Sequence, residues 1–340
     1  MFAPALACFF LSGFAALLYQ TVWTRQFAFV FGTADLAVAT VLAAYMGGLA
    51  VGAAAASRFA VTVRRPLLVY GLLELVIAIA ALLVPLAIRA STALAVLFFG
   101  GSAAPPSATG LTLACFYLGC AFVILLIPTL CMGATLPLLA RVSVRSDGEL
   151  ATRVGTLYAI NTAGAVAGTV VAAFVLLPWL GLARTVLVGV GANAVVCVLV
   201  ALVARMSAVA ASAPVAAAPA SGRWSIVLPV LLVSGITSFT YEVLWTRLLG
   251  HILGGSTYAF ATMLATFLAG IALGAAAAAR LATTPERAAR GFALAQLGIA
   301  AGSLAAFRAM DALPALALRL GAGRNPDHLG NIVLAALVML

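Results

Sequence analysis

Two glutamates stand where an ionised side chain is costly. Glu74 lies in the apolar run Pro66 to Ile88, and Glu242 in the run that opens at Trp224. Acidic groups inside membrane-length apolar segments face a bundle interior and mark routes for cations or protons. Neutral hydrogen-bonding residues accompany them: Tyr19 and Gln20, Tyr241, Gln296, and Asn161 with Tyr158 and Thr162 beside it. At about 1.5 Å per residue from the helix starts, Glu74 sits roughly 12 Å deep and Glu242 roughly 26 Å. That difference speaks against a shared carboxylate pair and allows two stations along one path. The competing reading is structural, with each glutamate capping an arginine or a helix end. Glu74, Glu242, Gln20, Gln296, Tyr19, Tyr241 and Asn161 are therefore the candidate substrate-binding residues. No catalytic constellation is expected, and no cofactor. A lysine-bearing phosphate loop has no lysine to use, no Ser/His/Asp set has hydrolase spacing, and the lone histidines His251 and His328 lack metal-ligand spacing.

The elements that hold these residues are membrane helices. Of 340 residues, 65% are apolar and 8% charged, with a mean hydropathy of +1.23, far from the composition of a soluble domain. Runs of twenty or more apolar residues match the roughly 30 Å of a hydrocarbon core, which excludes a soluble enzyme. Hydropathy and its breaks predict helices over 4–31, 34–57, 66–90, 108–139, 153–178, 183–204, 224–250, 256–280 and 289–318, with a last one starting near 329. Leu329 to Leu340 would rise only about 18 Å, so the native chain is expected to continue and the second half to be incomplete at residue 340. The expected division is a six-helix bundle over 1–205, an Ala/Pro/Ser tether over 206–223, and the start of a second bundle over 224–340.

The formal charge of +10 comes from 18 basic residues, all arginine, against 8 acidic ones. They punctuate the ends of apolar runs instead of gathering on one face, which argues for topology over nucleic-acid binding. With the N-terminus cytoplasmic, the inner side collects eleven arginines and the outer side five, favouring that orientation. Arg25 and Arg247 fall near the outer ends of their helices, each beside a tryptophan, as interfacial belt anchors do. The cysteines Cys8, Cys115, Cys120, Cys131 and Cys197 read as small buried side chains. Ala5-Leu6-Ala7-Cys8 lacks the basic flank of a lipoprotein signal.

A repeat is the strongest internal signal. Ser12–Arg58 aligns with Ser234–Arg280 at a constant offset of 222, with 20 identities in 47 positions. Eight are Ala–Ala matches, but the rest include Ser12/Ser234, Tyr19/Tyr241, Trp23-Thr24-Arg25/Trp245-Thr246-Arg247, Gly48/Gly270 and Gly52/Gly274. The offset also pairs Gln20 with Glu242 and Glu74 with Gln296, so each half keeps one glutamate and one glutamine in exchanged positions. Six spans separate equivalent points, which gives a parallel repeat of the major-facilitator kind. The small-residue steps Gly48-x-x-x-Gly52, Gly270-x-x-x-Gly274 and Gly164-x-x-x-Gly168 are expected at close helix contacts.

The stretches FLSGFAALLYQTVWTRQFAFVFG, YGLLEL, IPTLCMGATLPLLAR, VGTLYAINTAGAVAG and VSGITSFTYEVLWTRLLG resemble the membrane portion of the spermidine synthase-like membrane proteins, also described as fused major-facilitator/spermidine synthase proteins. The resemblance implies a helical membrane region commonly followed by a cytoplasmic Rossmann-type domain like that of an aminopropyltransferase. No such domain lies within these residues. The family's tyrosine–glutamate pair before WTR stands at Tyr241-Glu242, while the first repeat reads Tyr19-Gln20.

The expected fold is an all-α polytopic membrane protein with a major-facilitator-like parallel repeat. Its expected role is to bind or move a small cationic solute such as a polyamine. The rivals are a non-transporting scaffold or accessory subunit that docks to other membrane subunits, and a membrane anchor for a synthase domain beyond residue 340. The expected partner common to all three is the lipid bilayer. Arginine- and alanine-heavy usage points to a GC-rich bacterial genome, and the expected location is the bacterial inner membrane, with the N-terminus cytoplasmic.

Overall fold

In a bilayer every backbone polar group needs an internal partner, and an apolar chain meets that demand by forming helices. The computed structural model describes residues 2–31, 34–60, 62–99, 111–144, 149–206, 224–253, 257–319 and 333, almost all of them helical and none of them in a strand. In chain order the helices are α1 (Phe2–Phe31), α2 (Ala34–Phe59), α3 (Pro66–Phe99), α4 (Leu111–Ser143), α5 (Leu150–Val171), α6 (Leu177–Met206), α7 (Trp224–Leu253), α8 (Thr257–Leu281), α9 (Pro285–Arg308) and α10 (Leu313–Arg319). Among the described residues, eight helical stretches are long and apolar enough to cross a membrane. The chain is a multi-pass helical membrane protein.

The sequence spacing predicts nine full spans; two of them, 153–178 and 183–204, run on as the 54-residue helical stretch Thr152–Arg205, which is kinked at Gly181. Spans 153–178 and 183–204 are joined by no loop. They meet through a π-helical turn, Ala172–Leu176, and one residue, Gly181, at φ 72° and ψ 180°, a conformation that glycine adopts without a Cβ penalty. The chain nevertheless reverses there. α5 runs parallel to α1, with Gly164 against Phe10 and Gly168 against Phe14, whereas α6 returns, with Gly189 against Tyr19 and Val200 beside Cys8. Other boundaries also move. α3 continues nine residues past position 90, to Phe99. The predicted 289–318 helix breaks at Ala309 into α9, a short 3-10 turn over Met310–Ala312, and α10, where Pro314 would interrupt a continuing helix. The tether over 207–223 and, Val333 apart, the last predicted helix lie outside the described residues.

The chain forms two compact units: Met1–Arg145 with Ile160–Ser212, and Ser146–Ala159 with Ala213–Leu340. The first turns of α5 group with the second unit. There Gly155 meets Ala279, and the Thr152 hydroxyl donates to the Ala279 carbonyl at 3.5 Å.

In the first unit α2 packs most extensively on α4, α3 on α4 and α6, and α1 on α6 and α2. Small residues set these approaches. Gly48 faces the Thr129 side chain, Gly52 the backbone of Leu130, and Gly133 the backbone of Leu49. In the repeat partner the expectation fails, because Gly274 has open space where a Cβ would stand. The core gathers Tyr19, Trp23, Phe27, Tyr45, Ile77 and Leu125, and the Tyr45 hydroxyl donates to Met132 Sδ at 3.4 Å.

α3 displays the membrane pattern in one helix. Tyr70, Glu74, Ile77, Ala81, Val84 and Ile88 are buried, while Leu72, Leu75, Ile79, Leu82, Leu83 and Leu86 are exposed. From Leu68 to Leu86 every exposed position is apolar, Arg89 being the exposed charge that follows, while the inward face carries Tyr70 and Glu74, the reverse of a soluble helix.

At the end of α4 the Arg141 guanidinium donates to the carbonyls of Ala60 and Val63, clamping the segment between α2 and α3. Hydrogen bonds from charged donors contribute about 1.5–3 kcal/mol each before solvent screening. Arg141→Ala is expected to lower stability by about 1–2 kcal/mol and to speed amide exchange in residues 60–65, as read by hydrogen–deuterium exchange in nanodiscs.

In the second unit α7 contacts α8 and α10, and α8 contacts α9. α9 begins on a sequence-readable cap: the Thr284 hydroxyl accepts from the Arg287 N–H at 3.3 Å, with Pro285 in the first turn.

Candidate functional site

Glu74 is fully buried within the first unit. Its position follows from the four-residue step in Tyr70-Gly71-Leu72-Leu73-Glu74, which stacks Tyr70 and Glu74 on the inward face of α3. α6 returns antiparallel to α1 and brings Asn193 to the carboxyl, whose Oε2 accepts from Asn193 Nδ2 at 2.5 Å. The Asn193 amide is oriented from the other side by the Tyr19 hydroxyl, which donates to Oδ1 at 2.7 Å. Tyr19 in turn lies flat against Trp23, with ring centroids 5.4 Å apart and planes 10° apart. The result is a chain of contacts Trp23, Tyr19, Asn193, Glu74 drawn from three helices, every member of it buried.

Ser12 of α1 and Tyr70 also lie beside the carboxyl. Glu74 Oε1 and the Tyr70 hydroxyl nevertheless have no hydrogen bond of ordinary geometry. The carboxyl is held on one oxygen by a neutral amide and is flanked by the hydroxyls of Ser12 and Tyr70. No arginine forms a salt bridge with it among the described residues, where the ion pair is Arg153–Glu149 at 2.9 Å. The structural reading in which Glu74 caps an arginine therefore does not hold.

Gln20, the neighbour of Tyr19 on α1, is fully buried with both amide atoms unpartnered, and so is the indole N–H of Trp23 one turn further on. A turn of helix thus carries three unused polar atoms inside the first unit. Trp23 is consequently a core residue, and the expectation that it anchors the chain in an interfacial belt is corrected, although Arg25 next to it is exposed.

Asn161 holds a different place. Its backbone and side-chain oxygens lie against Gly13, which makes it part of the α1/α5 approach. Asn193, the other asparagine in an apolar run, is the one that holds the acid. Ser12, Tyr70 and Asn193 are the contacts that reading from sequence left out of the site. The Tyr70/Glu74 spacing and the Ser12/Ser234 repeat match were the signals that could have found them. The cysteines divide: Cys8 and Cys131 are buried, Cys120 and Cys197 half-buried and Cys115 exposed, which corrects the expectation that all five are interior.

In the second unit Glu242 is buried on α7, Tyr241 beside it is half-buried, and the Gln296 amide donates to the Ser234 hydroxyl at 2.6 Å. Shifted back by 222, Ser234 and Gln296 become Ser12 and Glu74. The same serine-to-third-helix proximity thus occurs in both units, once with a carboxyl and once with an amide.

No protein-family model, no curated protein and no solved structure matches the chain. Fold and site define the class: a multi-pass helical membrane protein with a carboxyl enclosed in its first unit.

Proposed function

We propose that the chain is a transporter-like bundle that binds or moves a small cationic solute, with a polyamine as the solute class suggested by resemblance to the spermidine synthase-like membrane proteins. The observation that carries this reading is Glu74, an acid buried among membrane helices, with only neutral groups beside it and no arginine paired to it among the described residues. Such a group gains a partner when a cation arrives. Glu242, buried in the second unit, is the second acid. The recurrence of Ser12/Glu74 as Ser234/Gln296 supports a parallel, major-facilitator-like repeat. The alternating distribution of arginines supports an N-terminus in the cytoplasm of a bacterial inner membrane.

The test is uptake of radiolabelled spermidine into proteoliposomes holding the full chain. Glu74→Gln with Glu242→Gln is expected to reduce uptake at least tenfold while leaving folding intact. Uptake equal to wild type removes the reading.

A scaffold or accessory-subunit role is the second reading, favoured by the tight closure of the first unit, whose interior is filled by aromatic side chains around the acid. Stoichiometric co-purification with other membrane subunits, together with absent uptake, would select it.

A further inference from the structure

A pocket opens at the end of the first unit where α1 and α3 begin and α4 and α6 finish. Ala5 and Cys8, Leu67 and Tyr70, Val142, and Val200 come to it from those four helices, leaving room on the scale of one water molecule. These helix ends also carry Arg64, Arg65, Arg141 and Arg205 in sequence, so the pocket belongs to the arginine-bearing end of the unit. Its lining is apolar apart from Cys8 and Tyr70. Tyr70 is fully buried and its hydroxyl is unpartnered. It is also next to Glu74, whose Oε1 is the unpartnered oxygen. The phenol therefore borders the pocket on one side and the acid on the other, while Glu74 itself does not line the pocket.

We propose that this pocket is a water-sized passage through which Glu74 exchanges protons with the arginine-bearing end of the unit, with the Tyr70 hydroxyl as the relay. The step balances. A hydronium in the pocket gives a proton to the phenol oxygen and becomes water, and the phenol's original proton moves to Glu74 Oε1. The outcome is a neutral phenol and a carboxylic acid, and release runs the same way in reverse. The groups in contact with Glu74 or within electrostatic reach of it suit a single proton. α1 supplies Cys8, Tyr19 and Ser12, α3 Tyr70, α4 Cys131 and α6 the amide of Asn193. None of these is an arginine or a second carboxyl. The inference rests on Glu74 as the cation-binding acid of the proposed function and names the proton as the cation that reaches it by this passage, which is far too small for a polyamine.

The experiment uses the full chain oriented in proteoliposomes, with time-resolved infrared detection of the carboxyl band that disappears in Glu74→Gln. A pH jump is applied on either side. In wild type the band is expected to respond from one side only. Tyr70→Phe, and separately a plugged pocket in Val200→Phe or Ala5→Leu, are expected to slow that response at least tenfold without abolishing the band. Three results overturn the passage: no response on either side, equal response from both, or wild-type rates in Tyr70→Phe and the folded plug variant. A plug-insensitive band alongside Glu74-dependent polyamine uptake overturns the passage and leaves the transport reading standing. A plug-sensitive band in a protein that moves no polyamine does the opposite.

Discussion

Asn193→Leu is expected to destabilise the folded chain by about 2 kcal/mol, and by less than about 1 kcal/mol when Glu74 is already methionine. The asparagine ties the Glu74 carboxyl to α6 by a hydrogen bond, and it also receives the Tyr19 hydroxyl. Leucine fills the volume but leaves both groups without their partner in a buried site. Hydrogen bonds between membrane helices contribute about 0.6 kcal/mol on average and at most about 1.7. The larger figure expected here comes from two bonds lost together, one of them to an acid. In the Glu74→Met background the carboxyl is gone and only the Tyr19 bond is lost, so the penalty shrinks. Denaturant unfolding of the four proteins of the cycle in mixed micelles measures the coupling. Additive penalties would show that the Asn193–Glu74 contact carries no energy.

Gly52→Val and Gly133→Val are expected to abolish accumulation of folded protein, a loss of more than about 4 kcal/mol. A Cβ at Gly52 runs into the Leu130 backbone, and one at Gly133 into the Leu49 backbone. Neither obstacle is a flexible side-chain end, so α2 and α4 must separate along their whole contact. Gly119 and Gly191 are the internal controls, because a methyl group at either would meet nothing within 4 Å. Alanine at either is expected to stay within about 0.5 kcal/mol of wild type. Fluorescence-detected size-exclusion profiles distinguish the two groups, and wild-type profiles for both valine variants would contradict the close approach.

Helix existence was legible in the sequence because a bilayer leaves an apolar chain few alternatives, and the starts of α3 and α7 at Pro66 and Trp224 fall where the breaks in hydropathy put them. The joint at Gly181 was less so. A loop and a single left-handed glycine leave nearly the same mark on hydropathy, and only backbone geometry tells them apart. At the site, Glu74, Tyr19 and Gln20 were found by the rarity of polar residues in apolar runs. That Asn193, and not Asn161, meets the carboxyl depends on which helix lies across from α3, and no local pattern encodes that. Asn161 had polar neighbours in sequence, whereas Asn193 had them in space. Trp23 misled for a related reason: its neighbour Arg25 is exposed while the indole packs into the core.

The length of α3 has a further consequence. Its 34 residues extend about 51 Å, and a helix leaning at the usual angle of about 20° would still cover about 48 Å along the bilayer normal. That overshoots the hydrocarbon by more than three turns. The surplus carries Phe98 and Phe99, which meet Phe116 edge-on at centroid distances of 6.5 and 5.4 Å. One rim of the first unit thus ends in a cluster of three aromatic rings held between α3 and α4.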